Sequence, residues 1–118
     1  MPEGRILVIA PNSDLRRSLA FALEAEGYVV TTHATIPGSD ASRGYDCVVL
    51  DHKAAVGDRD AVLSFCRSSR PVLLLAGIAQ PWLSREVFAV VPTPLSGDAL
   101  SDAVRSAVFA TGVRVSTK

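Results

Sequence analysis

Residues 5–32, "RILVIAPNSDLRRSLAFALEAEGYVVTT", are patterned as a strand, a helix and a second strand. Residues 6–10 form a continuous apolar run, which is typical of a parallel strand covered on both faces. The apolar residues that follow recur at i, i+4, i+7 and i+8, the spacing of one helix face: Leu15, Leu19, Ala22 and Leu23. Residues 28–32 predict a second strand, and its polar end places it near a sheet edge. This order predicts a parallel βαβ unit with a right-handed crossover.

Both ends of this first helix carry capping signals. Asn12 or Ser13 is suited to cap its start, and Asp14 suits the positive end of the helix dipole. Gly27 is placed to end the helix. The face opposite the apolar one carries charged residues: Arg16, Arg17, Glu24 and Glu26.

Three further apolar runs predict the remaining strands, at residues 47–50, 72–76 and 88–91. Two more helices are expected. One covers residues 60–68, with Ala61, Val62, Phe65 and Cys66 facing inward, and the other covers residues 97–110. The alternation of strands and helices predicts a doubly wound α/β sheet of five parallel strands.

Two connections are weak as helices. After the second strand, Pro37 and Gly38 confine any helix to residues 39–43. After the fourth strand, residues 77–86 leave space for about two turns, with Pro81 in the first helical position.

Composition limits the classes of partner and the number of domains. A chain of 118 residues with 48% hydrophobic content predicts one domain, assigned to residues 1–110, followed by a polar tail or linker at 111–118.

Twelve basic residues balance twelve acidic ones, so neither nucleic acid nor an anionic membrane is an expected partner. Neither a signal peptide nor an apolar stretch of spanning length is present, which predicts a cytoplasmic protein. Cys47 and Cys66 lack metal-ligand spacing and are expected to be unreactive core residues.

Ligands and catalytic groups of such sheets gather at the carboxyl ends of the strands. The first strand ends in Ala10 and Pro11, the third in Asp51, and the fourth in Ala76. The fifth is followed by "PTP", with Thr93 at its centre. Asp51 is therefore the ionised group expected at this edge.

Residues 5–32, together with "YDCVVLD", "PVLLLAG" and "VVPTPLSGDAL", resemble the receiver domain of two-component response regulators over residues 5–110. The resemblance implies a flavodoxin-like (CheY-like) sheet of order 2-1-3-4-5, here with short or degenerate second and fourth helices. In that family an aspartate closing the third strand accepts a phosphoryl group from a histidine kinase. Asp51 matches that phospho-acceptor position.

Other positions of the family motif hold a different residue type. Ala10 and Pro11 stand where receivers carry the acidic pair that holds Mg²⁺. Ala76 replaces the Thr or Ser after the fourth strand, and Thr93 replaces the Lys before a proline after the fifth. Mg²⁺ binding needs carboxylate and phosphoryl oxygens, so this metal is not expected, and no other cofactor is.

These replacements remove the groups that neutralise charge on a transferring phosphoryl group. Asp51 is therefore expected to be a surface carboxylate that does not act as an acceptor. Asp14 is interpreted as a helix-start charge, whereas His52 and Lys53 either pair with Asp51 or an anion, or face solvent.

Trp82 and Leu83 lie in the shortened fourth connection, on the face by which receivers commonly dimerise or pass signal. One interpretation is an exposed interface anchor. The alternative is that Trp82 fills the core end left open by the short helix.

The function expected from these features is a phosphorylation-independent protein-interaction or regulatory module of bacterial signalling, with no catalytic residues and no enzymatic activity. Its expected partner is a protein, such as a histidine kinase or an output domain, with homodimerisation as a further option. One alternative is a receiver phosphorylated on Asp51 through an unusual site. Another is a small-ligand-binding domain on the same fold, although no Gly-rich phosphate loop supports it.

Overall fold

In the computed structural model of the protein, five parallel strands form one sheet of order 2-1-3-4-5, with the strands numbered along the chain. The structure describes residues 4–37, 44–69, 71–95 and 98–116, with side chains up to residue 110. The strands are β1 (Arg5–Ile9), β2 (Val29–His33), β3 (Cys47–Asp51), β4 (Val72–Leu75) and β5 (Ala89–Val91). The predicted flavodoxin-like fold and the edge position of β2 are confirmed.

The helices are α1 (Ser13–Glu24), α2 (Arg59–Ser68), α3 (Pro81–Ser84) and α4 (Ala99–Ser116), and a 3-10 turn covers His52–Ala54. The short helix predicted after the fourth strand is α3, with Pro81 in its first turn. The helix predicted at residues 39–43, and the predicted start of the last helix at Gly97, lie outside the described residues.

The predicted end of the last helix at Ala110 is wrong, because α4 continues to Ser116. The added stretch contains no proline, and a single internal glycine, Gly112, weakens a helix by about 1 kcal/mol without ending it. The division into a domain of residues 1–110 and a tail of 111–118 stays a prediction.

Two apolar layers cover the sheet, one on each face. Ile6 and Val8 pack with the buried sides of α1 and α4, whereas Leu7 and Ile9 pack with those of α2 and α3. This two-sided burial explains why the central strands are apolar without alternation. Ala22 and Ala61, which were expected to face inward, are exposed, because each lies at the border of an apolar stripe that larger side chains fill.

The predicted caps of α1 are present. The side chain of Asn12 accepts a hydrogen bond of 2.9 Å from the backbone N–H of Leu15. Gly27 follows the helix with a φ of 99°, in the left-handed region that glycine tolerates best. These caps set where α1 begins above the end of β1.

Both cysteines are buried free thiols. Burial, with a smaller contribution from the Asp46 carboxylate, raises the pKa of Cys47 to about 12. Burial also raises the pKa of Cys66 to about 11, with Glu86 contributing. In the described part of the chain, no helix combines the length and the apolar character that crossing a membrane requires.

We expect both thiols to resist an aromatic disulfide reagent in the native protein at pH 8, because each is buried and protonated at that pH. In denaturant both thiols of the chain should react completely. Absorbance at the wavelength of the released thiolate measures the reaction rate in the native protein and in denaturant. The Cys66→Ala variant shows whether any residual reaction of the native protein comes from Cys47 or from Cys66. A native rate equal to that in denaturant would contradict the burial of these residues.

Candidate functional site

The carboxyl ends of the parallel strands meet at one edge of the sheet. The N–H of Ala10 donates to the carbonyl of His33 at 3.0 Å, which joins the ends of β1 and β2. The N–H of Ala76 donates to the carbonyl of Val91 at 3.2 Å, which joins the ends of β4 and β5. A Cβ placed on Gly77 would lie 3.5 Å from the carbonyl oxygen of Thr93. The fold thus brings the strand-end positions singled out in the sequence to one edge.

Asp51 is buried, so the expectation of a surface carboxylate is wrong. It is the last residue of β3, is paired in register with Leu75, and exposes only 4% of its surface. The chain does not leave the sheet after Asp51 but turns at once into the 3-10 turn, whose last residue, Ala54, packs into the core. The turn therefore covers the carboxylate that a simple strand end would expose.

The imidazole of His52 joins Asp51 to the neighbouring strand. Its Nδ1 lies 3.3 Å from Oδ1 of Asp51 and 3.0 Å from the carbonyl oxygen of Leu75. A carbonyl oxygen only accepts hydrogen bonds, so Nδ1 carries the hydrogen in this arrangement. Of the two ways in which His52 was expected to behave, pairing with Asp51 is the one that the structure shows. Lys53, by contrast, is exposed.

A guanidinium occupies the end of β1. Nη1 of Arg16 donates to the carbonyl of Ala10 at 2.8 Å and to that of Pro11 at 3.2 Å. The sequence had placed Arg16 on the outer face of α1, and this contact was missed. The signal available was its position one turn into a helix that follows a strand end, from where a long side chain can reach back to the strand-end carbonyls.

Trp82 and Leu83, the two residues expected at an interface, lie on α3. Leu83 is buried at 3% exposure and packs into the layer under α2, so it is not an exposed contact residue. Trp82 is half-buried, and the guanidinium of Arg59 lies 4.6 Å from its ring centroid. Leu83 is therefore a core residue, and Trp82 packs against the same core layer from its half-buried position, while an interface role for Trp82 stays a prediction.

The chain is 34% identical over 116 residues to the transcriptional regulator protein FixT of Rhizobium meliloti, a match that covers 93% of this chain and 98% of that protein. This chain belongs to the response-regulator receiver family. No protein-family model matches the chain.

Solved receiver structures share its fold. The signal receiver domain of a LuxO repressor protein from Vibrio parahaemolyticus superposes with a TM-score of 0.79 at 15% identity, over 99% of this chain and 98% of that one. A receiver domain protein from Clostridium thermocellum gives 0.74 at 20% identity, over 93% and 98%. Full-length FixJ from B. japonicum gives 0.74 at 24% identity, over 94% of this chain and 60% of that one.

The Mg²⁺ site that the family implies does not fit the residues of this receiver. Ala10 and Pro11 offer only backbone carbonyls, and both accept from the Arg16 guanidinium. A cation already bound there opposes the approach of a second one. Among residues 4–37, 44–69, 71–95 and 98–110, no group of three His, Cys, Asp or Glu side chains could hold a metal ion.

The two positions at which receivers sense a phosphoryl group are also changed in the structure. Ala76 presents a buried methyl group, with 1% exposure. Thr93 is half-buried and precedes Pro94 through a cis peptide bond. The Ala76 methyl group cannot donate a hydrogen bond to a phosphate, and the Thr93 hydroxyl can donate one but provides no positive charge.

Arg16→Ala should lower the free energy of unfolding by about 1.5–3 kcal/mol, because it leaves two strand-end carbonyls without their charged donor. Arg17→Ala removes an exposed cation from the adjacent position of the same helix and should change stability by less than about 0.5 kcal/mol. Urea unfolding followed by circular dichroism measures both. Equal effects of the two substitutions would contradict the structural role of Arg16.

Proposed function

We propose that this receiver is an atypical, phosphorylation-independent protein-interaction module in bacterial signal transduction, and that it has no enzymatic activity. Its membership of the receiver family supports a regulatory signalling role. The observation that carries the proposal is the state of Asp51, which is buried at the end of β3 and contacted by the imidazole of His52.

Burial of Asp51 opposes its use as an acceptor. Phosphoryl transfer requires the attacking oxygen to approach phosphorus in line with the leaving group. The side chain of Asp51 is only 5% exposed, and the next residue lies against one of its oxygens. A donor could reach the carboxylate only after the 3-10 turn had moved away from it.

Loss of the charge-neutralising groups opposes the same reaction. Removing one group that stabilises charge in a transition state raises the activation free energy by about 2.7 to 4 kcal/mol. Ala10, Pro11, Ala76 and Thr93 remove several such groups at once, so the reaction at Asp51 should be slower than in an ordinary receiver by many orders of magnitude.

The state that binds a partner is then the unmodified one. Receivers change state when a phosphoryl group draws the loops after the fourth and fifth strands together. In this receiver the end of β3 is already tied to β4 by the hydrogen bond from His52 to Leu75. Without a phosphate-dependent change, the surface presented to a partner is constitutive.

We expect the partner to be a protein of the same signalling system, a histidine kinase or an output domain, or a second copy of the chain. A net charge of zero gives no long-range attraction for nucleic acid. Partner binding should be equally tight for the wild-type chain and for Asp51→Asn, because the carboxylate is inaccessible.

The direct test is incubation with acetyl phosphate and Mg²⁺, followed by intact mass measurement under neutral conditions. We expect no phosphoryl adduct on Asp51 of the wild type, and therefore the same mass spectrum pattern for the wild type and for Asp51→Asn. A receiver that retains the acidic pair, treated in parallel, shows that the reagent is active. A stoichiometric adduct that hydroxylamine removes, and that Asp51→Asn abolishes, would overturn the proposal.

A further inference from the structure

His52 has the geometry of an oriented nucleophile. Its Nδ1 is hydrogen-bonded to the carbonyl of Leu75 at 3.0 Å and lies 3.3 Å from Oδ1 of Asp51. Because Nδ1 holds the hydrogen, the neutral ring carries its lone pair on Nε2. The side chain is 43% exposed, and Nε2 makes no hydrogen bond to any of the residues that the structure describes. The ring is thus fixed at one nitrogen and open at the other.

The Asp51 carboxylate stands where it would assist attack by Nε2. A nucleophilic imidazole becomes an imidazolium as its lone pair forms a bond, and a carboxylate at Nδ1–H stabilises that positive charge. Asp51 is 3.3 Å from Nδ1, and its 5% exposed side chain keeps solvent from screening the interaction. A buried acid that is a poor acceptor is therefore well placed to support a neighbouring nucleophile.

We propose that His52 is a phosphorylation site of this protein, accepting a phosphoryl group on Nε2 from N-phosphoryl donors such as phosphoramidates. The Nε2 lone pair attacks phosphorus, a P–Nε2 bond forms, and the P–N bond of the donor breaks. The electron pair of that bond leaves with the donor amine, which takes up a proton from water. The product is an imidazolium that keeps its hydrogen on Nδ1, facing Asp51 and Leu75.

The missing metal site is a smaller obstacle to this reaction than to reaction at Asp51. A neutral nitrogen brings no negative charge towards the phosphoryl oxygens, whereas a carboxylate does. A P–N bond is also exchanged for another P–N bond, so the donor and the product are of one chemical class. The inference does not depend on the proposed function, which concerns the unmodified protein.

The chain provides a matched control, because it contains only two histidines, His33 and His52. The experiment treats wild type, His33→Gln, His52→Gln and Asp51→Asn with potassium phosphoramidate, without metal. Intact mass at neutral pH gives the rate, and peptide mass spectrometry of the wild type locates the group. We expect one phosphoryl group on the wild type and on His33→Gln, and none on His52→Gln.

Two further results are expected. The adduct should be labile in acid and stable in alkali, as a phosphoramidate is, whereas an acyl phosphate is hydrolysed in alkali. Asp51→Asn keeps an oxygen beside Nδ1 but loses the charge, and should slow the reaction at least about tenfold, which corresponds to about 1.4 kcal/mol.

A phosphoryl group located on His33, equal rates at the two histidines, or no adduct would overturn the inference. Peptide mapping of the wild type decides between these outcomes even if His52→Gln fails to fold. An alkali-labile phosphoryl group mapped to Asp51 would instead overturn the proposed function, so the two failures are distinguishable.

Discussion

A carboxylate at the end of a strand covered on both faces needs a partner once the chain closes over it. Asp51 occupies such a position, because β3 lies between β1 and β4 and the 3-10 turn follows it without a spacer. A buried charge without compensation is strongly destabilising. The imidazole of His52 meets this requirement and also bonds the end of β4. This residue therefore links the ends of β3 and β4.

At the same edge, a cation of the chain itself stands in place of an external one. Arg16 reaches the carbonyls at the end of β1, on the side of the sheet edge where the family's metal-holding pair would stand. The groups that a receiver would direct at Mg²⁺ and phosphate are thus replaced by contacts within the chain. A receiver of this kind retains the scaffold of the signalling domain while its switch positions are filled by a methyl group and a neutral hydroxyl, at Ala76 and Thr93.

Local patterns were sufficient for the fold. The continuous apolar strands, a cap at Asn12 or Ser13 and a short helix with Pro81 in its first turn each follow from short-range physics, and the structure confirms them, with Asn12 as the cap and one turn in place of about two. The side chains of the site were harder to predict. The burial of Asp51 depends on the path of residues 52–54, and the inward turn of Arg16 depends on where α1 stands relative to β1. Both are tertiary properties, and only Arg16 has a signal in the sequence, its position at the start of a helix that follows a strand end.

In this receiver the chain's own Arg16 guanidinium occupies the edge at which the family binds Mg²⁺. A titration with Mg²⁺, followed by the backbone amide resonances of Ala10, Asp51 and His52, tests it directly. We expect no saturable shift of these amides at millimolar Mg²⁺, in the wild type or in Asp51→Asn. A saturable shift of all three in the wild type, abolished in Asp51→Asn, would contradict it.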